Sequence, residues 1–122
     1  MKDTLELKLS DDKLHVQLIG AFISPGEVEF SKNIDNLLRL CELALINHHE
    51  HYGEKAIIID FNETTKITSV GFSVLEADVQ ELALDKNAQL KFINFPTDFK
   101  PSLETRALYY RLSEQNGVEF KE

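Results

Sequence analysis

The chain has 122 residues, 43% hydrophobic and 28% charged, a balance that fits one globular domain and excludes disordered and fibrous classes. Thirteen Lys and Arg against twenty-one Asp and Glu leave a net charge of −8, which excludes a sequence-independent grip on nucleic-acid phosphates and disfavours an anionic membrane surface. Cys41 is the single cysteine, so no intrachain disulfide forms and a reducing cytoplasm is the expected compartment.

Met1-Lys2-Asp3-Thr4-Leu5-Glu6 carries no apolar stretch of the kind that makes a signal peptide. Leu5, Leu7 and Leu9 alternate with Glu6 and Lys8, and Leu14, Val16 and Leu18 alternate with His15 and Gln17. Two half-buried strands are expected, with Ser10-Asp11-Asp12-Lys13 turning between them. Ser24-Pro25-Gly26-Glu27 combines a capping box with proline at the first helical position and predicts a long helix. Its apolar stripe is Ile34, Leu37, Leu38, Cys41, Ala44 and Leu45, with Lys32, Asp35, Asn36, Arg39 and Glu42 on the other side. Cys41 on that stripe reads as a small core residue.

Ile46 to Lys55 reads as a connection of roughly ten residues, longer than a minimal one. His48, His49 and His51 cluster there beside Glu50, but no complementary Cys or acidic set follows, so they read as a solvated helix end before Gly53 rather than a metal site. Ala56-Ile57-Ile58-Ile59 is an uninterrupted β-branched run, far short of a membrane span and suited to a central strand covered on both faces. Asn62 to Val70 is a polar loop, and from Gly71 a second helix is expected, with Phe72, Leu75, Val79 and Leu82 on one stripe and Asp85-Lys86-Asn87 closing it. Leu90 to Phe95 is a strand ended by Pro96. A third helix is expected over 101–114, stopped by Asn116-Gly117, and Val118-Glu119-Phe120 reads as a short edge strand. The order predicts an α/β fold in a single domain over 1–122, a mixed β-sheet of four to five strands packed with about three to four helices.

Three stretches carry a resemblance: Ala56-Ile57-Ile58-Ile59-Asp60-Phe61, Ile67-Thr68-Ser69-Val70-Gly71-Phe72-Ser73-Val74-Leu75, and Leu90-Lys91-Phe92-Ile93-Asn94-Phe95. Together they resemble the heart of a STAS domain, the family that includes the bacterial anti-sigma-factor antagonists. Its pattern is a hydrophobic strand ending in Asp, a short loop, a serine-bearing turn that opens an apolar helix, then a strand and a final helix. The resemblance implies a non-enzymatic protein–protein interaction module, monomeric when free, without cofactor or metal. It places Ser69 at the family's phosphoacceptor serine, phosphorylated by a GHKL-type serine kinase or anti-sigma factor and restored by a PP2C-type phosphatase. The implied docking face comprises Asp60, Thr64, Thr65, Thr68, Val70, Gly71, Phe72 and Ser73. Thr68 stands where the family carries an acidic residue, and Val70 where it carries a second serine.

On the residues alone, Ser69 lies just before a predicted helix N-terminus, where unpaired N–H groups and the helix dipole favour an anion. A phosphate adds about −1.5 to −2 charge, tolerated at that position and unfavourable at a partner surface. Ser69 or Thr68 equally suits an N-cap worth about 1 kcal/mol, and both roles stay open. Asp60 is expected to accept hydrogen bonds from the Thr64-Thr65 loop, and Glu63 to be solvated. Gly71-Phe72-Ser73-Val74-Leu75 begins like a nucleophile elbow but ends in Leu75, and no P-loop, dinucleotide fingerprint or zinc pattern occurs. Tyr109 and Tyr110 on the last helix read as helix-to-sheet packing. Three other classes suit the same fold: an accessory subunit of a membrane lipid transporter, a constitutive signalling scaffold, and a small-molecule sensor beside the Ser69 loop.

Overall fold

The alternating leucines form β1 (Leu5–Leu9), which pairs antiparallel with β2 (Val16–Phe22). The computed structural model describes residues 5–22, 27–67, 69–95 and 118–120. In the turn between the strands, Asp12 Oδ1 accepts hydrogen bonds from Ser10 Oγ and from Leu14 N, at 3.0 Å for the latter. The Ser10 hydroxyl, followed by the Leu14 amide, holds the Asp12 carboxyl below its usual range.

Helix α1 (Glu27–Tyr52) runs 26 residues, and the Ser24-Pro25-Gly26 start signal lies outside the described residues. It continues through the segment expected to be a connection and ends at Gly53, whose φ of 74° is the left-handed conformation a glycine takes without strain. Gly53 N donates to His49 O at 2.8 Å, satisfying one of the last-turn carbonyls. The longer helix corrects the reading of the histidines. His49 and His51 are exposed, but His48 is 7% exposed, with Nδ1 2.9 Å from Glu54 O and its ring 4.8 Å from that of Tyr52. One imidazole therefore fastens the helix end to the chain that enters the next strand. Among the described residues no cluster of His, Cys, Asp or Glu is placed to hold a metal ion.

Next come β3 (Ala56–Asp60), β4 (Thr64–Ile67), α2 (Ser69–Val74), a π-helical turn (Leu75–Val79), α3 (Gln80–Asp85), β5 (Gln89–Ile93) and β6 (Val118–Phe120). The sheet order is β1-β2-β3-β5-β6, with β4 pairing beside β2. Among the described residues only the β1–β2 pair is antiparallel, so the mixed α/β sheet expected from the element order is found, with β4 as an additional strand. The third helix over 101–114, with Tyr109 and Tyr110, lies outside the described residues.

The core lies on one face of the sheet. Val16, Leu18, Ile57, Ile59, Leu90 and Phe92 meet Leu37, Cys41 and Ala44 of α1 and Leu75 and Val79 of the π turn, each at most 1% exposed. Ile58 and Asp60, on the other face of β3, are only half-buried, so the β-branched run does not mark a strand covered equally on both faces. The Cys41 thiol is pushed up to about 12 by burial, and then by the Glu42 carboxylate, which leaves it protonated and unreactive at neutral pH. No described helix is long and apolar enough to cross a membrane.

Candidate functional site

β2 takes two parallel partners in succession. Val16 and Gln17 face Ile59 and Asp60 of β3, whereas Gly20, Ala21 and Phe22 face Thr64, Lys66 and Ile67 of β4. The chain leaves β3, makes a tight turn, and returns to the same flank of β2. Thr64 N donates to Phe61 O at 3.0 Å to close that turn. Asp60 Oδ1 accepts from Asn62 N, the two-residue reach typical of an aspartate that shapes a turn, and from Asn94 Nδ2 at the end of β5, both at 2.9 Å. Asp60 therefore ties the carboxyl ends of β3 and β5 together, and its partners are these asparagines rather than Thr64 and Thr65.

Thr64 and Thr65 have different roles. Thr64 Oγ1 donates to Leu18 O at 2.5 Å, fixing the start of β4 on β2. Thr65 is the extra residue where the pairing moves from Gly20–Thr64 to Ala21–Lys66, a bulge that leaves it exposed. Gly20 adopts φ 92° opposite this bulge and donates its N–H to Glu63 O at 3.0 Å. The described residues of the polar stretch from 62 to 70 are thus a turn, a bulged strand and the start of a helix rather than a free loop.

Beyond the buried Ile67, the helical backbone begins at Ser69, two residues earlier than its apolar stripe predicts, and continues through the π turn to Asp85. Ser69 is its first helical residue, where the N–H groups of the opening turn have no intrahelical acceptor. No acidic side chain occupies that turn. Gly71 is buried and Ser73 exposed, while Val74 and Leu75, 4% and 0% exposed, anchor the segment in the core. Thr68 lies outside the described residues, as do the side chains of Ser69, Val70 and Phe72. Asp60, Thr64 and Thr65 and the Ser69 backbone are gathered along the β3 end, β4 and the helix entry.

Two features escaped the sequence reading. Asn94, expected inside the strand from Leu90 to Phe95, lies past the end of β5 at Ile93 with φ 54°, and an Asn two positions before Pro96 is its only signal in the sequence. The π turn, in which Gln80 N bonds to Leu75 O, keeps Leu75 and Val79 buried at a spacing of four and so imitates an ordinary helix in sequence.

No family model matches the chain, and neither the curated proteins nor the solved structures contain a match.

The Asp60–Asn94 bridge gives a local prediction. Asp60→Ala and Asn94→Ala each lower unfolding free energy in urea by about 1 kcal/mol, and the double variant loses less than their sum because the shared bond is removed only once. Strict additivity would place the two side chains apart in solution.

Proposed function

We propose that the chain is a non-catalytic, cytoplasmic interaction module that works like the STAS-type anti-sigma-factor antagonists, switched by reversible phosphorylation of Ser69. The observation that carries this reading is the position of Ser69 as first residue of a helix entered directly from β4, with no carboxylate in its opening turn. The N–H groups of a helix's opening turn and the positive end of its dipole favour an anion, so a phosphate on Ser69 is compatible with the fold. The added charge of about −1.5 to −2 acts outward, on the partner.

The docking face is the bulged β4, with exposed Thr65, and the helix entry through exposed Ser73. The partner is a GHKL-type serine kinase that also serves as the anti-sigma factor. It binds the unmodified face, releases its client, and leaves once Ser69 carries phosphate; a PP2C-type phosphatase resets the cycle. The net charge of −8 suits a basic partner surface.

Incubation of the purified chain with ATP and native extract, followed by fragment mass spectrometry, tests the assignment. Phosphate on the peptide containing Ser69, absent from Ser69→Ala, is expected. Modification confined to other serines would overturn it.

A further inference from the structure

β1 is an edge strand: among the described residues nothing pairs with its outer side, and its core-facing leucines Leu5, Leu7 and Leu9 are only half-buried. Ser10 N donates to His15 O at 2.9 Å, which makes that pair hydrogen-bonded. Antiparallel pairs alternate, so Lys8–Gln17 and Glu6–Ile19 are bonded pairs, while Leu9–Val16, Leu7–Leu18 and Leu5–Gly20 are not. The backbone N–H and C=O groups of Leu5, Leu7 and Leu9 therefore point to the open edge.

We infer that β1 is a self-pairing edge whose partner is β1 of a second copy, antiparallel about a two-fold axis at Leu7. This register places Leu7 opposite Leu7 and Leu5 opposite Leu9 as hydrogen-bonded pairs, using the groups that point outward. Glu6 then faces Lys8 of the second copy, and Lys8 its Glu6, as non-bonded pairs, where opposed side chains come closest. Leucines extend the covered face while two ion pairs form on the other. Moving the centre to Glu6 or Lys8 still joins the strands through leucine backbone groups but sets Glu6 opposite Glu6 or Lys8 opposite Lys8, so the charged side chains select the register centred on Leu7. A lysine on an edge strand normally deters pairing; the glutamate two residues before it reverses that effect for an identical strand. One short strand makes a small interface, so the dimer is weak and reversible and lies below the usual size of stable complexes. It differs from the free monomer that the family resemblance implies, and it lies across β2 from β4, clear of the helix entry at Ser69.

Analytical ultracentrifugation of the full chain from about 10 µM to about 1 mM, with circular dichroism to confirm folding, tests the pairing. Glu6 and Lys8 are exposed, so their substitution spares the core. Glu6→Lys and Lys8→Glu each weaken self-association by roughly tenfold or more, because two attractive pairs become repulsive. Mixing the two variants restores a dimer, since each then supplies the charge its partner lacks. In amide exchange, Leu5, Leu7 and Leu9 gain protection with concentration while Glu6 and Lys8 are protected throughout. A wild-type chain that stays monomeric over the range, a dimer indifferent to both variants, or a mixture that fails to re-associate would each overturn the inference.

Discussion

Phe61→Ala lowers the unfolding free energy by about 3–5 kcal/mol, the range for removing a fully buried phenylalanine. Phe61 is 1% exposed and immediately follows β3. Its ring sits 5.7 Å from that of Phe92 and 5.2 Å from that of Phe95, in tilted and edge-on arrangements that add to simple burial. Its N–H donates to Ile93 O at 3.0 Å, so the same residue holds the β3–β4 turn to the end of β5. A domain of this size has roughly 5–15 kcal/mol in total, so the variant is marginal, with a melting temperature lower by roughly 10–20 °C. Urea and thermal unfolding followed by circular dichroism measure this. Phe61→Leu, which keeps most of the volume, loses much less. A cost below about 1 kcal/mol for the alanine variant would mean that the ring is not packed as described.

Gly20→Val has the second-largest effect. Gly20 holds φ 92° in β2 opposite the Thr65 bulge, a conformation that a β-branched residue reaches only under strain. The expected cost is roughly 1–3 kcal/mol. The residue can escape that strain only by straightening β2, which pulls its N–H from Glu63 O and unseats β4. Amide exchange distinguishes this from general destabilisation: the Lys66 and Ile67 amides lose protection well before Ile57 and Ile59 in β3. Uniform loss over both strands would contradict the idea that Gly20 sets the β4 register.

The residue pattern announced the scaffold. The alternation at Leu5, Leu7 and Leu9 and the run through Ile57 and Ile59 are set by burial, and burial is what periodicity reports. Cys41 fell on the apolar stripe and is in the core. The site was harder to read because its geometry comes from groups that leave no period: the Asp60–Asn94 bridge spans 34 residues in sequence, and the Thr64–Leu18 bond spans 46. Thr64 to Ile67 looks like a loop because it is short and polar, and it becomes a strand through pairing with β2. His48 looked solvated because its neighbours are; only the additional turns of α1 carry it inward.

Affinity capture from native extract tests the proposed Ser69 switch most directly, with wild type, Ser69→Ala and Ser69→Asp as baits and retained proteins identified by mass spectrometry. The aspartate carries about half or a little more of the phosphate charge, so it mimics the modified state in part. Wild type and the alanine variant are expected to retain the same kinase-like regulator, and the aspartate variant to lose most of it. Equal retention by all three baits would contradict the switch and leave Ser69 as a structural residue of the helix entry on a constitutive adaptor.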